Sequence, residues 1–301
     1  MKYHCFAEKE LTYLGRERDL VYYRLDKNDR RRQTMNKNTI HMLRSVTDTI
    51  CDSFIITTGD GKVIAIDGGY KTETDNFIGY LKKVTGSEKP HIDVWFLSHP
   101  HDDHCQVFLE IAENRPDEVT FGKVYANFPE GSFYEGVDKW GVIIANEYRR
   151  LLPRFADRAR ELHEGDVFSV GEAKFTVFYT FNSEWKSVND ASTVMRMDLG
   201  GKSVMFTGDA ATKPGNYVVG KYGDGGLLHC DYCKMSHHGQ GGVGRNFYEA
   251  VSPKVCLWPT PSWVYASARP NLRTYETREW VAGLGVEKEY RSFEGNAVIK
   301  L

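Results

Sequence analysis

The chain has little of what marks secreted, membrane-spanning or strongly nucleic-acid-binding proteins. Six cysteines in 301 residues are too few for a disulfide scaffold. No apolar run approaches the length of a membrane span, and residues 1–5 do not open a signal peptide. Lys and Arg total 39 against 41 Asp and Glu, so a net charge of −2 gives no global basic field for long nucleic acid. We therefore expect a cytoplasmic protein, with no membrane or protein partner evident.

The organisation of the chain favours one large domain behind a short extension. Residues 1–45 are polar and charged, and we interpret them as an N-terminal extension with one helix or a short hairpin. Residues 46–301 alternate between β-rich and mixed stretches without a low-complexity linker. Two packed sheets with helices outside fit this order better than a doubly wound parallel sheet.

The densest functional signal is a cluster of imidazoles and carboxylates at residues 99–104. The apolar run that precedes it, residues 92–98, has the length of a buried strand. The cluster therefore lies in the loop at the carboxyl end of that strand, where open α/β sheets usually build ligand sites. Nitrogen and oxygen donors at this spacing suit Zn²⁺ or a similar first-row dication. The pattern predicts a hydrolytic metal site.

Two further segments end predicted strands with residues that can bind metals. Asp209 follows the strand predicted at 203–207, and His237 and His238 follow the strand predicted at 232–236. Five of the ten histidines lie in residues 99–104 and 237–238. Each later segment alone is equally typical of an ordinary turn. Together with the first cluster, they predict ligands that converge on one site.

These residues resemble the signature of the metallo-β-lactamase superfamily. Its His-x-His-x-Asp-His motif is matched by His99, His101, Asp103 and His104. Residues 189–192, 206–209 and 236–239 are similar to the branch that contains the ComEC-type hydrolase domain and the phosphorylcholine esterases. The resemblance runs from about residue 51 to residue 301. It implies an α/β (α+β) fold, a four-layer αββα sandwich with the metal site along one edge of its two sheets, and it identifies residues 46–301 as a metallo-β-lactamase-like hydrolase domain.

The resemblance also implies two divalent metal ions, Zn or Mn. The ligands carried over are His99 and His101 for the first ion, Asp103, His104 and His238 for the second, and Asp209 as a bridge between them. His237 is the expected substrate contact or proton donor, although the sequence leaves open which of His237 and His238 coordinates. Most members supply a third histidine to the first ion from a position near Asn189, which this chain lacks. The first site is therefore expected to be weaker.

A site of this kind needs no nucleophilic side chain, because the cations ionise water near neutral pH for attack on phosphorus or a carbonyl carbon. The expected catalytic residues are Asp103, Asp209 and His237. Candidate substrate-binding residues are Asn189, Ser192, Gln240, Arg269 and Trp263. Gln240 and Arg269 stand where the branch has Ser and His, and Trp263 belongs to an aromatic loop predicted at 258–265. Turn formation, solvent exposure and packing on the core are the alternative roles of these residues.

The leading hypothesis is a metal-dependent phosphodiesterase that acts on a phosphodiester or a phosphorylated small molecule. A carboxyl-ester, lactone or thioester hydrolase of the same fold is the first alternative. An iron-dependent enzyme of sulfur or oxygen redox chemistry is the second, because the superfamily includes such enzymes with similar ligands. A binding module with a weakened first site is the third.

Overall fold

The computed structural model describes residues 11–17, 20–25 and 38–301. Near the amino terminus, strands β1 (Leu11–Glu17) and β2 (Leu20–Leu25) pair antiparallel as a two-stranded sheet. Within the described part of residues 1–45, this strand pair agrees with the hairpin alternative for the N-terminal extension.

The remaining strands and the helices make up the body of the molecule. The strands are, in chain order, β3 (Thr39–Met42), β4 (Ser53–Thr57), β5 (Val63–Asp67), β6 (His91–Leu97), β7 (Thr120–Ala126), β8 (Ala159–Arg160), β9 (Val167–Val170), β10 (Ala173–Tyr179), β11 (Val194–Leu199), β12 (Lys202–Phe206), β13 (Tyr232–Lys234), β14 (Val255–Trp258), β15 (Lys288–Arg291) and β16 (Ala297–Lys300). The helices are α1 (Thr74–Thr85), α2 (Asp102–Asn114), α3 (Lys139–Leu151), α4 (Thr212–Tyr222), α5 (Arg245–Val251), α6 (Ser262–Tyr265) and α7 (Thr274–Gly283).

The strands form two seven-stranded mixed sheets. The first has the order β16-β3-β4-β5-β6-β7-β8 and the second β15-β14-β13-β12-β11-β10-β9. Strands β5 to β8 are parallel in the first sheet, as are strands β12 to β15 in the second. The other pairs in these two sheets are antiparallel.

The central strands of each sheet are buried on both faces, which explains the continuous apolar runs in the sequence. Phe54 on β4 and Phe96 on β6 lie in the core between the two sheets. Their neighbours Ile55 and Trp95 point to the opposite face and pack with helices α1 and α2. Helices α4, α5 and α7 cover the outer face of the second sheet in the same way. The result is an αββα sandwich, as expected.

The first sheet begins earlier in the chain than the sequence indicated. Strand β3 pairs antiparallel with β4 and β16 and is entirely buried, although the interpretation of the sequence placed it within residues 1–45. The strand has four residues, and Thr39 and His41 interrupt its apolar pattern. A run this short carries too little periodicity to be recognised.

The parallel strands bring several chain segments to one edge of the sandwich. Strands β5 and β6 of the first sheet end there at Asp67 and Leu97, and β12 and β13 of the second end at Phe206 and Lys234. The segments that follow β6, β12 and β13 hold the histidines and carboxylates singled out by the sequence. Among the residues described, every helix is too short or too polar to cross a lipid bilayer.

Candidate metal centre

The predicted ligands converge from both sheets. His99 and His101 lie in the loop after β6, and Asp103 and His104 lie in the first turn of α2. The second sheet supplies Asp209 after β12 and the His237-His238 pair after β13. Carboxylates in the first turn of α2 are favoured by the positive end of the helix dipole.

One group of four buried donors lies where the second cation was expected. Asp103, His104, Asp209 and His238 each offer one ligand atom within 4.8 Å of the others. The Nε2 atom of His238 lies 3.1 Å from Asp103 Oδ2 and 3.3 Å from Asp209 Oδ2. The Nε2 atom of His104 lies 3.2 Å from Asp209 Oδ1. Two imidazole nitrogens and two carboxylate oxygens at these distances can surround a single ion.

A second group shares Asp209 with the first. Ligand atoms of His99, His101 and Asp209 also lie within 4.8 Å of one another. The Nε2 atom of His99 is 3.0 Å from His101 Nδ1 and 4.0 Å from Asp209 Oδ2. Asp209 therefore stands between two donor groups, as a bridging ligand would. The group with His99 and His101 offers three protein donors, and the group with His104 and His238 offers four.

The hydrogen bonds of the buried histidines fit a divalent cation. His104 Nδ1 donates to Asp67 Oδ2 at 2.8 Å, and His238 Nδ1 donates to the Pro259 carbonyl at 2.8 Å. The Nε2 atoms of both rings are buried and make no hydrogen bond. A metal-binding histidine characteristically uses one ring nitrogen for the ion while a protein acceptor holds the other. Buried nitrogens without a partner beside two carboxylates match this arrangement.

The carboxylates of the centre are ionised at neutral pH. Burial alone would raise the pKa of Asp209, but the charges of His238 and His104 hold it well below its usual range. Burial also opposes ionisation of Asp103, yet His104 and His238 lower its pKa to about 2. Both groups are therefore anionic oxygen donors, which suit hard and borderline cations.

The histidines divide into two kinds. Burial, together with the charge of His104, holds the pKa of His99 well below its usual range, so its lone pair is free. Burial would also lower the pKa of His104 and His238, but Asp209 raises the former well above its usual range and the latter to about 9. The negative charge that favours these protons also favours a cation, so protons compete with metal binding.

The structure separates the two adjacent histidines. His238 is fully buried within the four-donor group, whereas the His237 side chain is 29% exposed and lies outside both groups. The Nε2 atom of His237 lies 3.9 Å from Asp209 Oδ2 and 3.4 Å from Asn189 Nδ2. Both histidines have left-handed φ angles, 50° and 55°, which are uncommon for residues other than glycine and often mark functional sites. His238 is thus the better placed ligand, and His237 lies at the rim.

The predicted substrate-binding residues near His237 have different surroundings. The side chain of Asn189 lies beside His237, and its Oδ1 atom is buried without a hydrogen bond. Ser192 is fully buried, and its Oγ accepts a hydrogen bond from the Asp209 N–H at 2.9 Å. This differs from the predicted substrate contact, because the hydroxyl positions the Asp209 loop. Gln240 is mostly buried, and its N–H donates to the His237 carbonyl.

The segment at 258–265 is not the loop that the sequence indicated. Trp258 ends β14 and is fully buried against Gly239, where any Cβ would overlap its ring. Trp263 lies on the short helix α6, is 48% exposed and donates from Nε1 to the Asp48 carbonyl at 3.1 Å. Arg269 is exposed beyond this helix. No contact described for the Trp263 or Arg269 side chain joins it to the ligand groups, so their substrate roles stay predictions.

Sequence reasoning missed two residues that orient the predicted histidine ligands. Asp67 accepts hydrogen bonds from the N–H and hydroxyl of Ser98, each at 2.8 Å, as well as from His104. The Asp138 carboxylate caps α3, and its Oδ2 lies 3.4 Å from His101 Nε2. For Asp67, a signal was present in the Asp-Gly-Gly turn at a strand end. Asp138 has no comparable signal.

A buried lysine was also missed. Lys234 ends β13 with 1% exposure and lies within 3.3 Å of Asp209 Oδ1. Burial would lower its pKa, but Asp52 and Asp209 raise it, so the ammonium is charged. A single lysine in a predicted strand, three residues before the His237-His238 pair, was the available signal.

Comparisons with known proteins agree with this architecture. The family model described as the metallo-beta-lactamase superfamily matches residues 46–237. The competence protein ComA of Neisseria gonorrhoeae is 28% identical over 182 residues, which are 60% of this chain and 21% of that protein. The ComE operon protein 3 of Bacillus subtilis (strain 168) is 29% identical over 177 residues, 58% of this chain and 20% of that protein. The chain therefore spans about a fifth of the length of these relatives.

Solved structures share the fold at low sequence identity. CmlA from Streptomyces venezuelae, described as a diiron beta-hydroxylase, is 13% identical with a TM-score of 0.54 over 88% of this chain and 54% of that chain. The metallo-beta-lactamase fold protein YhfI from Bacillus subtilis is 14% identical, with a TM-score of 0.50 over 88% of this chain and 100% of that one. At this identity the likeness concerns the fold alone.

Proposed function

This chain belongs to the metallo-β-lactamase superfamily, and we propose that it is a metal-dependent phosphodiesterase that acts on a phosphodiester or a phosphorylated small molecule. The observation that carries the proposal is the sharing of Asp209 by two adjacent donor groups. Two cations held on either side of one carboxylate suit displacement at phosphorus, because both the attacking and the leaving oxygen can be stabilised.

The proposed ligands follow the two groups. His99, His101 and Asp209 would hold one cation, and Asp103, His104, Asp209 and His238 would hold the other. Divalent cations at these positions would supply a water nucleophile ionised near neutral pH and would neutralise charge on the attacked phosphate. Zn²⁺ and Mn²⁺ both accept imidazole and carboxylate donors. The three-donor group is the proposed weaker position.

The other residues of the centre would orient the ligands or bind the substrate. Asp67 keeps a proton on Nδ1 of His104, so that Nε2 is the nitrogen that faces Asp209 and would be the donor to a cation that displaces its proton. His237 and Asn189 form a polar rim beside Asp209 and can donate hydrogen bonds to phosphate oxygens. No serine, cysteine or other side-chain nucleophile is required of the chain.

The test compares ester classes on one preparation. Metal-depleted protein should hydrolyse bis(p-nitrophenyl) phosphate when Mn²⁺ or Zn²⁺ is added, and Asp209→Ala should remove this activity. Asp231→Ala is the matched control, because Asp231 directly precedes β13 and pairs with the exposed Lys202. Turnover of a lactone or thioester without turnover of phosphodiesters would instead assign carboxyl-ester hydrolysis. Stoichiometric iron with oxygen consumption would assign redox chemistry.

A further inference from the structure

The Lys234 ammonium lies in the floor of the candidate metal centre and contacts three oxygen atoms. It donates to the Gly208 carbonyl at 2.6 Å, lies 3.3 Å from Asp209 Oδ1 and forms an ion pair with Asp52 Oδ2. Lys234 and Asp52 have exposures of 1% each. A fully buried lysine is rare, because the free-energy cost of removing its charge from water must be offset by its contacts with the protein.

The partners of Lys234 come from both sheets. Asp52 directly precedes β4 of the first sheet, and its N–H donates to the Asp103 carbonyl at 3.1 Å. Lys234 belongs to the second sheet, as do Gly208 and Asp209 in the loop after β12. The ion pair therefore links the half that carries Asp103 to the half that carries Asp209.

Two contacts fix Asp209 in this arrangement. Its N–H is held by Ser192 Oγ at 2.9 Å, and its Oδ1 lies beside Lys234. The adjacent Gly208 has a φ of 48°, and a Cβ there would lie 3.0 Å from the Cβ atoms of Ser192 and Ser98. The loop thus has little freedom of its own, and the Asp209 side chain is the part that Lys234 restrains.

We propose that Lys234 is a positioning residue of the metal centre. Anchored by Asp52, its ammonium holds Oδ1 of Asp209, so that Oδ2 faces His238 at 3.3 Å and His99 at 4.0 Å. Because Asp209 belongs to both donor groups, its displacement weakens both cation positions.

Electrostatics alone makes the opposite prediction. Removal of a positive charge beside two cation positions would by itself favour cation binding. A loss of affinity on removal of Lys234 therefore reports displaced ligands rather than altered charge. The remaining alternative is that Lys234 only neutralises Asp52, which also lies in a buried group with Asp67 and His104.

The experiment measures cation affinity, not turnover. The inference rests on the metal site of the proposed function but not on its substrate. Zn²⁺ and Mn²⁺ affinities are measured by competition with a chromophoric chelator for wild type, Lys234→Met, Asp52→Asn/Lys234→Met and Lys202→Met. Lys202→Met is the matched control, because Lys202 pairs with Asp231 in the same sheet and is 47% exposed. Urea unfolding of each metal-depleted variant reports stability.

Lys202→Met should bind both cations as wild type does. Lys234→Met should bind both at least tenfold more weakly. The double variant, which leaves no unpaired buried charge, should recover stability but not affinity. If Lys234→Met does not fold, the cation affinity of the double variant decides whether Lys234 positions Asp209. Wild-type affinity in Lys234→Met or in the double variant would overturn the inference, whereas absence of binding to wild type would overturn the metal site itself.

Discussion

Asp67 and His104 form a hydrogen bond of 2.8 Å between Oδ2 and Nδ1 that decides which nitrogen of the imidazole faces the metal centre. The other ring nitrogen, Nε2, then lies 3.2 Å from Asp209 Oδ1. Asp67 also accepts two hydrogen bonds from Ser98 and has a left-handed φ of 54°. The carboxylate is therefore fixed before any cation binds, and it fixes the imidazole in turn.

Asp67→Asn should weaken cation binding about 10- to 100-fold, the usual effect of losing such a supporting hydrogen bond. Asparagine tolerates the left-handed backbone, but its amide N–H₂ would replace the acceptor that faces His104. The ring would then carry its proton on Nε2, which faces the metal position. Chelator competition measures the affinity. Asp93→Asn is the control, because Asp93 accepts the Val63 N–H away from the centre. An unchanged affinity for Asp67→Asn would contradict this role.

Ser192→Ala should lower cation affinity and reduce the free energy of unfolding by about 1–2 kcal/mol, because the buried N–H of Asp209 loses its acceptor. The measurement is chelator competition together with urea denaturation. KM for a phosphodiester should not change in cation-saturated enzyme. A rise in KM at unchanged affinity would instead make Ser192 the substrate contact that the sequence indicated.

Gly239→Ala should destabilise the fold by about 2 kcal/mol or more, because its Cβ would overlap the Trp258 ring and its φ of 85° disfavours any side chain. Gly79→Ala is the matched control: Gly79 lies within α1 with nothing within 4 Å of the added Cβ. That variant should gain about 0.5–1 kcal/mol. The free energy of unfolding of each variant is measured by chemical denaturation. If Gly239→Ala were no less stable than wild type, the loop after β13 would have relaxed to accommodate the added Cβ.

The buried His41 should make stability depend on pH away from the metal centre. Burial lowers its pKa to about 4, whereas an unfolded histidine has a pKa of about 6.5. The unfolded chain therefore binds more protons between these values. The contribution is complete above pH 6.5 and is lost as pH falls towards 4, by up to about 3 kcal/mol.

Unfolding of wild type and His41→Gln measured from pH 7.5 to pH 4 isolates this contribution, because the other titrating groups are common to both proteins. The free energy of wild type should fall more steeply through the window. If the free energies of unfolding of the two proteins ran parallel against pH, the pKa of His41 would be the same in the folded and unfolded states. The buried imidazole beside Tyr80 would then bind its proton as readily as an exposed one.

The sequence predicted the sandwich and the convergence of the ligand segments because local sequence patterns indicate both. Apolar runs of strand length precede His99 and Asp209, and the cluster at residues 99–104 is too dense for packing alone. The short strand β3 was missed because four residues carry no readable period. The turn of helix that holds Trp263 was missed for the same reason.

The supporting contacts could not be predicted, because they join residues that are far apart in the chain. Nothing local indicates that Asp52 pairs with Lys234 or that Asp138 reaches His101. Nor does a sequence show whether the hydroxyl of Ser192 faces a substrate or the backbone of its own site. These contacts depend on how the two sheets are packed against each other.

The most direct test of the account is a crystal structure of the protein loaded with Zn²⁺ or Mn²⁺, with the ions located by anomalous scattering. We predict two ions, each with an Asp209 oxygen at about 2.0–2.2 Å, one beside His99 and His101 and the other beside His104 and His238. Ions bound without Asp209, or coordination by His237 in place of His238, would contradict the account.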